Sequence, residues 1–349
     1  MAQASQVAVR PMTTPKVLTA PTAVAPAVTV STPARAPVIL ASAAPPFLIQ
    51  SGHRKTRHLK LLVYGTYGVG KTYLAGSAVS VPHMRDVLMV DVEGGEQTLA
   101  DDDVHPFSMI DSIRVKDFKQ LARVHDYLEA HCMHRDAKNI EKLKDLEVRL
   151  RGQTSDTPKQ YNTIIIDSLT EIDALCMYQL LGISETTRID EESQAAEWAE
   201  YKKNFNMMQR LIRKFRDLPM NVIFTSAQQY IQDDQKRQIF TPLLTGKLAA
   251  SVQGFMDVVG RLVTQHPAAP TDINAVEVGK ATRVLWVQPV GRFDAKCRFS
   301  SFKGSHFVDP TIESILRAVG LLVAREQAAA SVEAPKAPLG GSAPAPNPS

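Results

Sequence analysis

The segment YGTYGVGKTY, residues 64–73, follows the apolar run LKLLV and fits G-x-x-x-x-G-K-[ST] with Gly65, Gly70, Lys71 and Thr72. This pattern works mechanically only where a buried strand ends in a loop. Its glycines let the main chain wrap a polyphosphate with N–H groups pointing inward. The lysine reaches the β- and γ-phosphates, and the threonine hydroxyl binds Mg²⁺. The loop Gly65, Thr66, Tyr67, Gly68, Val69, Gly70, Lys71, Thr72 and Tyr73 is therefore the expected cradle for a nucleoside triphosphate. ATP and Mg²⁺ are the expected ligands, and a helix is expected over Lys71–Val79.

The rest of the chain supplies the matching architecture. Strand-length apolar runs recur at 59–64, 87–92, 162–167, 221–226, 258–265 and 282–290. The first four are nearly continuous in Val, Ile, Leu and Met, as in strands buried on both faces of a parallel sheet. Between them lie helical stretches: 117–150, with a highly charged second half, and 195–216, with Phe205, Met208, Ile212 and Phe215 at helical spacing. Alternating strands and helices predict an α/β fold with crossover helices. The last two strands, with shorter connections, are expected as an antiparallel extension.

A phosphate loop needs a carboxylate for its metal. TIIID ends in Asp167 at the carboxyl edge of a strand, where α/β sheets bind ligands. Thr72 and Asp167 are the expected metal residues, and Ser168 the expected cap of the next helix. In VDVEGGE, Glu93 is the candidate base for an attacking water; Asp91 holds either the turn or the metal shell.

These motifs, GTYGVGKT, VDVEGG, IIIDS and VIFTSAQ, stand in the order found in the RecA-like ATPase core. The chain resembles bacteriophage AAA-domain ATP-binding proteins with a RecA-like core, including RecA-like single-strand annealing ATPases. The resemblance covers most of residues 59–322. It implies that Glu93 is the hydrolytic base and that Asp167-Ser168 ends the metal-binding strand. It implies a γ-phosphate-sensing glutamine, offered one position late by Gln228, with Gln229 behind it. DAKCRFSSF is similar to the K-x-R finger that reaches a neighbouring subunit's ATP site: Lys296 and Arg298 match, whereas Cys297 and Ser300 depart from the family's Asn and Gly. Lys247 occupies the segment where RecA places cross-subunit lysines, and equally suits a DNA contact or a plain helix start.

The implied activity is ATP hydrolysis to ADP and phosphate, stimulated by single-stranded DNA and serving phage recombination or strand annealing. The alternative is a nucleotide-gated loader or replication accessory protein with little turnover. The implied partners are further copies of the chain in a ring or filament, single-stranded DNA and a single-strand-binding protein. By resemblance, 182–192 and 230–244 face the DNA. The second holds Tyr230 and Phe240 for stacking, with Lys236 and Arg237 offset by Asp233 and Asp234.

Composition adds limits. With 349 residues, a 44% hydrophobic fraction and a net charge of +4, the chain has enough apolar residues for a full core, and its charge alone does not argue for nucleic acid. No run reaches the ~18 apolar residues of a membrane span, and the expected location is the cytoplasm, that of a bacterial host if phage-encoded. Three separated cysteines fit inert thiols in a reducing compartment. Residues 1–57 are rich in Ala, Pro, Val and Thr, and the first acid is Asp86. They read as a tail, as do 325–349, around an ATPase domain at 58–324. The basic run at 53–60 either steers DNA or keeps the tail soluble. His131 and His134 read as solvent-exposed helix residues, and Trp198 and Trp286 as packing residues.

Overall fold

The computed structural model describes residues 57–99, 104–151, 157–192, 195–232, 235–265 and 281–322; all belong to one compact unit, Lys55–Ser349. The tails read at 1–57 and 325–349 lie outside the described residues, apart from residue 57, as do Asp233 and Asp234.

Four of the apolar runs form the middle of a sheet: β1 (Lys60–Gly65), β2 (Val87–Asp91), β4 (Thr163–Asp167) and β5 (Asn221–Gln232). β2 and β4 are buried at every position, and β1 at every position after Lys60. β1 pairs in parallel with β5, β5 with β4, and β4 with β2. A short strand that the apolar pattern did not reveal, β3 (Asp111–Arg114), lies parallel to β2 at the edge. Its alternating half-buried and exposed residues carry too little apolar signal to be read.

On the other side of β1 lies β7 (Val258–Gln265), then β8 (Thr282–Trp286) and β10 (His306–Val308). Here the sequence expectation is corrected. β7 is parallel to β1 and extends the parallel core; the antiparallel extension begins at β8. Two short strands lie off this path. β6 (Gln238–Pro242) folds back on the end of β5, and β9 (Lys296–Cys297) runs beside the start of β7. The result is a mostly parallel sheet flanked by helices with an antiparallel extension, as expected.

Both faces of the sheet are covered. On one face α2 (Phe118–Asp136), α4 (Leu169–Leu180), α5 (Trp198–Asp217) and α6 (Leu248–Phe255) bury Leu121, Ile172, Met208, Ile212 and Val252 against Leu62, Ile164 and Val222. On the other, α1 (Lys71–Gly76) and α7 (Ile312–Ala318) bury Leu74, Ile312 and Ile315 against Leu61, Ile165 and Ile223. The region 117–150 is two helices rather than one. It breaks after α2 and resumes as α3 (Ile140–Arg151), with Lys138 at a left-handed φ of 55°. Helix α1 is shorter than expected and tightens into a 3₁₀ turn over Ser77–Ser80. α7 is tied to that turn: the Ile312 N–H donates to Ser77 Oγ at 2.9 Å.

Cys132 and Cys176 are buried and Cys297 is half-buried, all as free thiols. No helix among the described residues is long and apolar enough to cross a membrane.

Candidate functional site

The phosphate loop is fixed from below and from its end. Gly65 has no room for a side chain, since a Cβ there would lie 2.4 Å from the Leu262 carbonyl of β7. Gly70 turns into α1 at φ 93°, a left-handed conformation that glycine adopts without steric cost. Val69 is buried and pins the loop to the core, whereas Tyr67 is exposed. Lys71 is buried, and its ammonium donates to the carbonyls of Thr66 at 2.9 Å and Gly65 at 3.3 Å. Burial lowers its pKa, and the charges of Glu93 and Asp167 oppose that shift. The ammonium thus curls back on its own loop, within electrostatic reach of two carboxylates.

The metal-side residues meet. Thr72 Oγ1 donates to Asp167 Oδ2 at 2.7 Å, across 95 positions of sequence. Asp167 is buried at the end of β4, and its other oxygen accepts from the Thr225 hydroxyl of β5. Burial raises the Asp167 pKa, and Glu93 and Asp91 push the same way against the two hydroxyl donors. Gly95 closes over this group: a Cβ there would stand 2.7 Å from Asp167 Oδ2 and 3.4 Å from Thr72 Oγ1. The bare backbone leaves space at a hydroxyl and a carboxylate, and hard oxygen donors of this kind suit Mg²⁺.

Asp91 resolves as the turn-holder. Its Oδ1 accepts the N–H groups of Gly94 at 2.8 Å and Gly95 at 2.9 Å. That turn delivers Glu93, whose Oε1 accepts from the Ser168 hydroxyl. Ser168 also caps α4, as expected, accepting from the Glu171 N–H. Glu93 is exposed to solvent beside the buried Asp167.

Gln228 directly follows Ala227, which pairs with Gly65, so it stands beside the loop, while the cations Lys296 and Arg298 stand away from it. Gln228 Oε1 accepts from Arg261 Nε at 3.2 Å, and Arg261 in turn lies 3.9 Å over the Phe240 ring. Gln229 donates to the carbonyls of Pro242 and Leu244. Lys296 and Arg298 are at the amino edge. Lys296 pairs with Val259 in a stretch of β7 that runs beside Leu62, three residues short of Gly65. Lys296 Nζ donates to the Gln253 carbonyl at 2.7 Å, and Arg298 to the Gly254 carbonyl, so both cations sit on the last turn of α6. Lys247 is exposed at the start of α6.

Two expectations reverse. Trp198 is 84% exposed at the first residue of α5 and packs into no core. With Tyr201, Lys202, Phe205, Gly246 and Lys247 it lines a groove. His131 is 1% exposed, buried against Tyr127 and Tyr161.

Sequence reasoning missed Thr225, Gly95 and Arg283. Thr225 carried a signal: a hydroxyl residue that ends the apolar run VIF, one strand over from Asp167. Arg283 carried none. It is half-buried on β8, with its guanidinium 3.2 Å from where a Gly70 Cβ would stand and 4.6 Å over the Tyr73 ring.

Among solved structures, the chain is similar to the RadB recombinase (17% identity, TM-score 0.32, covering 65% of this chain and 78% of that one). It is also similar to the flagellar accessory protein FlaH from Methanocaldococcus jannaschii (11%, TM-score 0.33, covering 72% and 84%). A third is a KaiC-like protein from Pyrococcus horikoshii (12%, TM-score 0.27, covering 72% and 89%). No curated protein matches the sequence. The profile of a family described as AAA domain matches residues 57–299, which span the phosphate loop, Glu93, Asp167 and the segment through Arg298. The chain belongs to this AAA-domain family.

Proposed function

We propose that the protein is a RecA-like ATPase that binds ATP at the Gly65–Tyr73 loop, hydrolyses it to ADP and phosphate, and works on single-stranded DNA in phage recombination or strand annealing. The observation that carries the nucleotide reading is the contact of Thr72 with Asp167 under Gly95, beside Lys71. Three segments far apart in sequence meet there: the start of α1 brings the hydroxyl and the ammonium, β4 the carboxylate, and the turn after β2 the bare Gly95, a set that suits a triphosphate and its cation.

In this reading the loop amides cradle the phosphates. Lys71 leaves the carbonyls of Gly65 and Thr66 for the phosphate oxygens, a better acceptor for a half-desolvated ammonium. Thr72 and Asp167 would hold Mg²⁺, which neutralises charge on the phosphates when bound. Glu93, oriented by the Ser168 hydroxyl, takes the proton of the attacking water. Gln228 reports on the γ-phosphate by exchanging its Arg261 partner.

The DNA reading is supported by the carboxyl edge. Tyr230 is 65% exposed near the end of β5, and the groove at Trp198 sets aromatic rings beside Lys202 and Lys247. Exposed rings next to ammonium groups suit stacked bases and their phosphates. Assembly into a ring or filament is supported by Lys296 and Arg298, whose heads lie at the edge opposite the chain's own phosphate loop. The phage setting and a single-strand-binding partner rest on the resemblance of the motif set.

The test is phosphate release with and without single-stranded DNA, repeated with Glu93→Gln. The expected result is turnover stimulated by DNA and lost in the variant. Tight nucleotide binding with no turnover under either condition would make ATP an assembly switch instead.

A further inference from the structure

The phosphate loop leaves β1, and strands approach it from both sides. β4, two strands away through β5, brings Asp167, Thr72's partner. β8, two strands away on the opposite side through β7, brings Arg283. Two strand spacings are about 10 Å. Register sets the height. Arg261 pairs with Tyr64, just before Gly65, and Arg283 pairs with Thr264, three residues further along β7. Arg283 thus stands level with the loop rather than with the strand beneath it.

Its side chain is held in place there. The guanidinium lies over the Tyr73 ring at 4.6 Å and against the bare Cα of Gly70. Tyr73 is itself set edge-on to His105 and Phe107, so the platform is fixed. The backbone of Arg283 is clamped on both sides: its N–H donates to Asp309 Oδ1 at 3.0 Å, and its carbonyl accepts the Asp309 N–H at 2.7 Å. Among the described residues no carboxylate pairs with the guanidinium. A half-buried guanidinium held on an aromatic platform, with five N–H donors and no carboxylate partner among the described residues, has the form of an anion-binding residue.

We propose that Arg283 binds the nucleotide, as the cation at its α-phosphate end, resting on the reading of the loop as a nucleotide cradle. Lys71, Thr72, Asp167 and Glu93 mark the γ-phosphate end, on the β4 side. A polyphosphate laid across the loop from that side ends near Tyr73, one residue past Thr72, where Arg283 waits. The ligand class is a nucleoside di- or triphosphate, and the contact is shared by both because each keeps its α-phosphate.

The test is titration of a fluorescent ATP analogue and its ADP counterpart, with wild type, Arg283→Met and Arg283→Lys, at two salt concentrations. Methionine keeps an apolar stem over Tyr73, so a melting curve of the nucleotide-free variants separates folding from binding. The expected result is a loss of roughly tenfold, ~1.4 kcal/mol, in Arg283→Met for both nucleotides alike. Arg283→Lys recovers part of it, and the salt dependence of binding is shallower in the methionine variant. Wild-type binding with an unchanged Arg283→Met, or a loss confined to ATP, overturns the assignment of Arg283 alone. A wild type with no affinity for either nucleotide overturns the cradle reading, and the proposal with it.

Discussion

Cations crowd both edges of the sheet, and the two edges treat them differently. At the amino edge three charged heads have found carbonyls of their own chain, and Arg57 pairs with Asp257. Lys60 donates to Leu218 and Met220, Lys296 to Gln253, and Arg298 to Gly254. At the carboxyl edge the matches are poorer. Lys71 settles on two carbonyls of its own loop, and Arg283 on an aromatic face. The carboxylates there are crowded instead: Asp167 is buried with Glu93 and Asp91 close enough to push its pKa up. The difference marks the edge at which a charged ligand would be stabilised. Cations already bonded to carbonyls stabilise the chain's own fold, while carboxylates crowded together beside Lys71 are stabilised by an incoming cation, and Lys71 and Arg283 by the polyphosphate it carries.

The largest expected effect breaks the carboxyl edge outright. Lys71→Ala removes the ammonium that meets the phosphates, and ATP affinity should fall at least ~100-fold, about 3 kcal/mol. The fold should survive, because that ammonium makes only loop contacts. Equilibrium titration with a fluorescent nucleotide checks it; unchanged affinity would mean the loop is not the cradle. Next is Glu93→Gln. Phosphate release should drop by ~10²–10⁴, with nucleotide affinity within about threefold of wild type, because Glu93 touches Ser168 and not the loop. A variant that turns over normally would leave Glu93 as a brace for the glycine turn.

The carboxyl edge was more legible in sequence than the amino edge, and for a physical reason. A phosphate loop needs glycines and a lysine at fixed spacing, so Gly65, Gly70, Lys71 and Thr72 announce themselves. Asp167 follows because a phosphate loop needs a carboxylate for its metal, and TIIID ends in one. The turn of Asp91 and Glu93 is local and readable too. Arg283 is not: its place beside Gly70 comes from two strand pairings, through β7 and β8, that no short motif encodes. Similarly, connection length put β7 in the antiparallel extension, but the 16 residues 266–281 separate it from β8, and only pairing to β1 decides its direction. Trp198 misled because a tryptophan is usually packed; at the first turn of α5 it lines a groove and is 84% exposed.

Smaller effects test whether the amino-edge finger is complete within one chain. If Lys296 serves a neighbouring subunit's site, mixing Lys296→Ala with wild type should poison turnover beyond simple dilution, since each mutant protomer disables the next one's site. The melting temperature of the variant should change little, because one lysine on helix-end carbonyls contributes only ~0.3–1 kcal/mol. Turnover that falls strictly in proportion to the wild-type fraction would confine Lys296 to holding the end of α6.

The smallest expected effect concerns Lys60, an amino-edge cation held between the carbonyls of Leu218 and Met220. Burial lowers its pKa to about 8, only partly opposed by Asp257 and Asp217. Between pH 8 and the ordinary lysine value, the unfolded chain keeps a proton that the folded chain has released. The unfolded state then binds more protons, so stability rises with pH across that window. Below pH 8 both states are charged, and the cost of burying the ammonium is present in full. Urea unfolding at pH 7.5 and 9.5 should show wild type gaining of order 1 kcal/mol relative to Lys60→Met, which has no proton to release. A parallel pH response in the two proteins would mean that the carbonyls of Leu218 and Met220 satisfy the charge completely. The amino edge would then be as closed electrostatically as it is in its hydrogen bonds, which would sharpen the contrast with the open cluster around Asp167.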